Sequence, residues 1–587
     1  MALALALATA CSSPSAGGSD GDAATPLDWA VEEPPDPAPD ALDEPPHPGD
    51  GRTPEGVVDV QGEADLSDLS PETPIVADAT DIDADELAPL PEATPEPDEV
   101  GEPIPDPGFE ADADFEADMA PETGVTSCSA PSDCEGLPHP SCPGWWTCET
   151  SCAWACPPPL DLYDLADLED DQQLLAEVLS ETEQTRDGQN FRVREVRFRA
   201  FEWSSGAKVP IAIHGFLAHP QVGAPVKPGV LLLKGVDDLA SPDDAMALAG
   251  QTDAIVLVLD GPGMGGSLGT GPTTGLSILF ATEPDPRATW FVAYAVAASR
   301  GLTWLKSQPA VQPARLGVVG RRLGGVVAML VNGIDRRVKA AVVLEAAGGI
   351  PVAARQGGWF ASMLSSAGLG PYSAAVDVWA SRADPLAYAP LQRSPVMLVV
   401  GAQDEYFPLP SVQATYAALT VEKRLALIAD WDALYFASAA GQQNSYDNTT
   451  RAEAILRDDT TAWLRHHLAS DPAYPLPSEP LVAREVEGLV SRFHATSASG
   501  ADTAEARVLI SSDAAYTFPA LALQPTGPGS WSGLSNLVAS VYDDAVLVYF
   551  SEIGVPVGPA SGGQKLVLTS LAHAPASFVP VIRTKPW

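Results

Sequence analysis

Residues 315–330 read RLGVVGRRLGGVVAML. A short apolar run meets Gly320, two arginines and the pair Gly324 and Gly325, and an apolar stretch of helical length follows. The pattern predicts a strand, a tight turn and a helix. Glycines on both sides of the turn imply that backbone passes close to backbone there. Arg322 stands at its apex.

The same alternation extends outward. GVLLLKG, AIVLVLDG, RLGVVG, KAAVVLEA, VMLVVG and RLALIAD are short, continuous apolar runs, as expected of parallel strands covered on both faces. Helical stretches such as WFVAYAVAASRGLTWLKSQ and GGVVAMLVNGID lie between them. Ahead of them, VREVRFRAF and PIAIHGFLAHP alternate with period two and predict an antiparallel opening pair. The fold class is therefore α/β, with a mostly parallel sheet over residues 192–470, and function is expected at the carboxyl ends of its strands. DLADLEDDQQLLAEVLSETEQ predicts a linking helix within 159–191. From 471 to 587, segments such as EARVLISS, AYTFPALALQP, QKLVLTSLAH and SFVPVIR, separated by Gly, Pro and Ser, predict a small β-rich domain of sandwich type. That domain either binds carbohydrate or protein through exposed aromatics such as Trp531, or packs against the central domain for stability.

The chain has 587 residues and a formal net charge of −47. Residues 12–126 hold 33 Asp and Glu against one basic residue, Arg52. Such a proline-rich stretch cannot bury enough apolar surface to offset its chain entropy, so it is expected to be a disordered, extended tether. Nucleic acid is excluded as an expected partner, since phosphates repel this charge and no basic stripe is present. Residues 1–11, MALALALATAC, read as a lipoprotein-type signal with Cys11 as the lipid acceptor, although no Lys or Arg precedes the apolar run. No later stretch reaches the ~18 apolar residues of a spanning helix. A membrane contact is thus expected through the N-terminal lipid alone, at the cell envelope, or else export to the outside.

The other six cysteines, Cys128, Cys134, Cys142, Cys148, Cys152 and Cys156, crowd into residues 127–158. An even number in a segment too small for its own core, behind an export signal, reads as a disulfide cluster of open connectivity. Zinc with His139 is the alternative, though no C-x-x-C pair occurs.

The central domain resembles the α/β hydrolases. AASRGLTWLKSQPAVQPARLGVVGRRLGG is similar to the approach to the nucleophile turn in dienelactone-hydrolase and acetyl-xylan-esterase-like members. GIDRRVKAAVVLEA and GAQDEYFPLPSVQATYAALTVEKRLALIADWDA resemble the PhoPQ-regulated pathogenicity-related group over fewer positions. The resemblance implies a nucleophile third in G-x-S-x-G, and there the chain has Arg322. A guanidinium offers no lone pair for attack and stays protonated. The implied acid, after VMLVVG, is Asp404, which is retained. The implied histidine falls on Ala433, and His466 and His467 lie too far on, within TTAWLRHHLAS. Backbone N–H groups of Leu323 and of the turn after LLLKG would still form an oxyanion hole.

Several readings of these residues stay open. Arg322 either forms a salt bridge with Asp404 that plugs the site or, with Arg321, clamps a ligand anion. A metal held by Glu345, Asp404 and Asp432 is a third reading that no ligand spacing supports. DGPGMGGS carries G-x-G-x-x-G at Gly261, Gly263 and Gly266, but turn formers follow where a phosphate-binding helix would start. It fits better the turn D-x-P-G-x-G-x-S, with Asp260 and Ser267 at its ends. Ser267 as substitute nucleophile lacks an activating histidine. An insertion of about 45 residues after VVLEAAGG suggests a lid whose Trp359, Phe360, Met363, Tyr372 and Trp379 either line an apolar pocket or pack the lid down.

The resulting expectation is an exported α/β-hydrolase-like protein without cofactor that binds a small-molecule, ester-type or carbohydrate ligand or a partner at the former catalytic site. The alternative is an active carboxylic ester or amide hydrolase with non-standard catalytic residues.

Overall fold

The computed structural model describes the backbone of residues 145–148 and 152–155 and the chain from 159 to 580. Short internal stretches are excepted, the longest being 433–448 and 536–546. The expected signal, the acidic tether and Cys128, Cys134, Cys142 and Cys156 lie outside the described residues, as do the side chains of Cys148 and Cys152. Strands β1 (Trp145–Cys148) and β2 (Cys152–Ala155) pair antiparallel, with Cys148 opposite Cys152.

A nine-stranded sheet forms the centre. Its strands are β3 (Glu177–Arg186), β4 (Gln189–Ser204), β5 (Ala207–Pro220), β6 (Lys227–Leu233), β7 (Ile255–Leu259), β8 (Val311–Arg321), β9 (Val338–Leu344), β10 (Val396–Gly401) and β11 (Lys423–Ile428). Their spatial order is β11-β10-β9-β8-β6-β7-β5-β4-β3. The six expected apolar strands, β6 to β11, run parallel, and β4 and β5 form the expected antiparallel pair. Every residue of β7 and β10 is buried, which is why their sequences are continuous apolar runs without alternation.

The expected linking helix is not one. Only α1 (Leu165–Glu169) is helical, and Glu177–Arg186 forms edge strand β3, antiparallel to β4. Leu, Glu and Gln favour a helix locally, but pairing with the long β4 ladder prevails over that propensity. β3 keeps almost only polar, exposed residues, as an open edge requires.

Helices α2 (Pro242–Thr252), α3 (Trp290–Ser307) and α4 (Leu323–Ile334) cover the sheet. All twelve residues of α4 are buried, so its sequence is apolar all round. The lid insertion forms α5 (Ile350–Arg355), α6 (Gly358–Ser366), α7 (Ala374–Ala383) and α8 (Pro385–Tyr388); α9 (Leu409–Ala418) and α10 (Thr449–Leu464) follow.

The C-terminal region holds β12 (Leu481–Glu487), β13 (Val490–Thr496), β14 (Glu505–Ser511), β15 (Ala520–Ala522), β16 (Gln524–Gly527), β17 (Ser530–Ser535), β18 (Val548–Pro556) and β19 (Lys565–Thr569). They make two antiparallel sheets, β12-β13-β17-β16 and β15-β14-β18-β19. Phe493, Val508, Trp531 and Ile553 share the core of this sandwich. Trp531 is therefore not the exposed aromatic its sequence suggested: it is 4 % exposed, on an inward position of β17. SFVPVIR contributes no strand among its described residues, and Pro580 removes a ladder donor there.

The second sheet closes the open edge of the central one. Thr569 Oγ1 accepts the Leu427 N–H at 3.0 Å and donates to the Leu425 carbonyl at 3.3 Å. Asp459 on α10 accepts the Val567 N–H at 2.8 Å. Backbone groups that β11 and β19 would otherwise leave bare are thus satisfied across the junction.

Candidate functional site

The turn at the end of β8 is built as its glycines imply. Arg322 adopts φ 54° and ψ −124°, a conformation that costs an L residue about 1–3 kcal/mol. A Cβ on Gly320 would overlap the Gly324 carbonyl, and one on Gly324 would overlap the Leu233 carbonyl at the end of β6. The helix thus starts against the sheet with no room for side chains. Leu323 is the first residue of α4, so its N–H is one of those an α-helix leaves without an intrahelical acceptor.

The arginines meet a partner that the sequence reading did not give them. Glu345, one residue past β9 and fully buried, accepts Arg321 Nε at 2.6 Å and Arg321 Nη2 at 3.0 Å. Arg322 Nε lies 3.4 Å from the same carboxylate, and the Trp431 indole donates to it at 3.1 Å. Arg321 also reaches Glu453 on α10 at 3.2 Å. Burial alone would lift the Glu345 carboxyl, but Arg321, Arg322 and Trp431 hold it below the ordinary range. The expected Arg322–Asp404 salt bridge is corrected to an Arg321–Glu345–Arg322 cluster. The physical reason is register: Arg321 pairs with Leu344 across β8 and β9, so the next residue of β9 comes up beside both guanidiniums.

Asp404 sits in the turn after β10, 1 % exposed. Its Oδ1 accepts the N–H groups of Tyr406 at 2.8 Å and Phe407 at 3.0 Å, while Oδ2 is buried without a hydrogen-bond partner. Burial, then the neighbouring Asp432 and Glu345 charges, push its carboxyl well above the ordinary range. Asp432 follows β11, is also buried, and accepts the Glu405 N–H at 3.3 Å. Ala433, the implied histidine position, lies outside the described residues. Among the described residues no histidine hydrogen-bonds Asp404. His466 bonds the Tyr474 carbonyl, while its neighbour Arg465 reaches Thr252, ahead of β7, so this helix end lies by the amino ends of the strands. Among the described residues no group of three His, Cys, Asp or Glu is arranged to hold a metal ion.

At the end of β6, the Lys234 N–H meets the Tyr294 hydroxyl at 3.1 Å, and that hydroxyl donates to the Leu259 carbonyl at 3.1 Å. This N–H, within LLLKG and ahead of the turn that follows it, is therefore engaged within the protein. The Lys234 ammonium pairs with Asp238 at 2.6 Å and Asp244 at 3.2 Å.

The D-x-P-G-x-G-x-S turn is a staple. Asp260 accepts the N–H groups of Ala240 at 2.8 Å and Gly266 at 3.2 Å, and Ser267 Oγ donates to the Asp260 carbonyl at 3.1 Å. Sequence reasoning missed what this turn holds. His214 on β5 places Nδ1 3.0 Å from Asp260 and Nε2 3.1 Å from Glu195. A carboxylate at each nitrogen favours the charged ring: the Asp260 hydrogen bond, followed by Glu195, raises its pKa against the opposing effect of burial. The detectable signal was a histidine on the strand that pairs with the one leading into Asp260.

The lid aromatics pack rather than line a pocket. Trp379 is buried and donates to the Leu279 carbonyl at 2.8 Å. Trp359 lies 4.7 Å from the Tyr406 ring and Phe360 5.2 Å from that of Phe407, so the lid presses on the two residues whose N–H groups hold Asp404. Met363 is partly buried against the same core, and Tyr372 alone is exposed, beneath the Arg355 guanidinium.

No family model and no curated protein matches the chain. Solved structures similar to it include an acetyl xylan esterase from Paenibacillus sp. R4, at 19 % identity, covering 47 % of this chain and 88 % of that one with TM-score 0.39. Acetyl xylan esterase 1 from Thermoanaerobacterium sp. JW/SL YS485 is 16 % identical over 52 % of this chain and 94 % of that one, with TM-score 0.40. The α/β hydrolase GrgF from Penicillium sp. sh18 is 17 % identical over 46 % and 99 %, with TM-score 0.30. The strand order, the antiparallel opening strands followed by parallel ones and the strained residue between β8 and α4 give the central sheet and its helices the α/β-hydrolase fold.

Proposed function

We propose that this α/β-hydrolase-fold protein binds a ligand or partner at the hydrolase site instead of cleaving it. The observation that carries the reading is Arg322 at the apex of the turn, paired with Glu345. A permanently protonated guanidinium neither attacks nor accepts a proton. What remains around it donates: the Leu323 N–H at the start of the helix and the guanidinium itself. Such a set suits the oxygen of an ester-type or carbohydrate small molecule. The N-terminal sequence supports an exported chain, lipidated at Cys11, whose acidic residues 12–126 tether residues 192–470 and 471–587 to the cell envelope behind the cysteine-rich segment.

The test is twofold. Purified full chain is incubated with a fluorophosphonate probe, which labels activated serines, and assayed against p-nitrophenyl esters of two to eight carbons. No labelling and no turnover above buffer are expected, since loss of nucleophile and histidine costs about 10⁶ in kcat. Turnover that disappears in Asp404→Ala would establish an active hydrolase instead.

A further inference from the structure

Helix α10 and the C-terminal sandwich enclose a cleft of about 750 Å³, within the size range of small-molecule sites. It contains none of the residues of the β8–α4 turn. Glu552, 6 % exposed, anchors it. That carboxylate accepts Arg451 Nη2 at 2.5 Å, Arg507 Nε at 2.8 Å and Arg507 Nη2 at 3.1 Å. Lys565 pairs with Glu505 at 2.9 Å, both largely exposed. The rest of the lining is mainly apolar, with Ile455, Leu523, Pro525 and Trp531.

Two features narrow the ligand. Among the described lining residues charge cancels, Arg451, Arg507 and Lys565 against Asp458, Glu505 and Glu552, so the lining itself favours neither an anion nor a polycation. Yet the cleft is dense in charged donors and acceptors: beside the buried Glu552 carboxylate, Arg451 and Arg507 keep 29 % and 33 % of their side-chain surface exposed and line the cleft, which leaves part of each guanidinium open to a ligand. We propose that this cleft binds a neutral, polyhydroxylated ligand, a saccharide. Its hydroxyls accept from guanidinium N–H groups and donate to carboxylates in charge-assisted bonds, while its C–H faces rest on the apolar lining and the indole edge.

Titration calorimetry of the full chain with maltotriose, cellotriose and mannotriose tests this. Saturable binding of at least one is expected. Ala522→Trp, at an exposed position of β15 lining the cleft, fills it without entering the core and abolishes binding; Ala454→Trp on α10 does the same should the first variant fail to fold. Arg507→Lys keeps a charge for Glu552 but loses the two-point fork, so affinity falls about tenfold. Absence of saturable heat with all three sugars, or binding that survives the tryptophan variants while their melting temperatures match the parent, overturns the assignment.

Discussion

Glu345 lies within reach of both guanidiniums of the β8–α4 turn, 2.6 Å from Arg321 Nε and 3.4 Å from Arg322 Nε, with no solvent exposure of its own. Two cations around one dry carboxylate are tolerable only while that carboxylate is ionised. Glu345→Gln keeps the shape and removes the charge, leaving Arg321 and Arg322 facing each other. Urea unfolding at pH 7 is expected to show a loss of about 3–5 kcal/mol. A loss below ~1 kcal/mol would mean that the cluster does not hold the turn. Because the Glu345 pKa is depressed, its contribution is present above about pH 4.5 and is lost on acidification through the folded-state value.

The sheet was legible because burial on both faces leaves nothing for β7 or β10 to be except a run of aliphatic residues. The turn was legible because Gly320 and Gly324 are demanded by carbonyls a Cβ would strike. What filled the site was less so. Arg322 is visible in the sequence, but family geometry offers it Asp404 or a ligand anion and not Glu345, which depends on register across β9 and on its own positive φ of 52°, neither of which has a sequence mark. The β3 edge was hidden for the opposite reason: its residues favour a helix, and only the neighbouring strand makes them extended. His214 sits in an unremarkable strand, and its importance comes from two carboxylates distant in the chain.

Restoring the missing groups separates a lost nucleophile from a lost scaffold. Arg322→Ser alone supplies a hydroxyl with no base, so p-nitrophenyl acetate turnover is expected to stay at the parent level. Arg322→Ser with Ala433→His adds the implied base to the retained Asp404 and is expected to hydrolyse the ester above the single variant. Equal rates in the single and double variants would show that the scaffold no longer supports the chemistry.

The raised pKa of His214 makes stability depend on pH in one direction. Its folded-state pKa lies above the unfolded value because Asp260 hydrogen-bonds the charged ring, Glu195 adding to that against the effect of burial. The contribution is therefore complete below about pH 6.5 and is lost as pH rises through the folded value. The melting temperature is expected to fall between neutral and mildly alkaline pH in the parent, and to fall less over that span in His214→Gln. The ring resonances, followed by NMR, are expected to titrate above the free histidine value. A ring that titrates at or below it would contradict the charged assignment.

Asp404 works the other way. Burial and the charges of Asp432 and Glu345 raise its pKa well above that of a free carboxyl, so the unfolded chain releases this proton at a pH where the folded chain still holds it. Stability is then greatest below the unfolded value near 4 and declines as pH rises toward the folded one. Asp404→Asn keeps an acceptor for the Tyr406 and Phe407 N–H groups and places a neutral donor where Oδ2 now has no partner. The variant is expected to be more stable than the parent at pH 7, by about 1 kcal/mol or more, and to lack that decline. In a working hydrolase the same substitution removes the charge that orients and stabilises the catalytic histidine. A destabilised Asp404→Asn at neutral pH would show that the carboxylate is ionised and paired, which would favour an intact catalytic arrangement over a binding site.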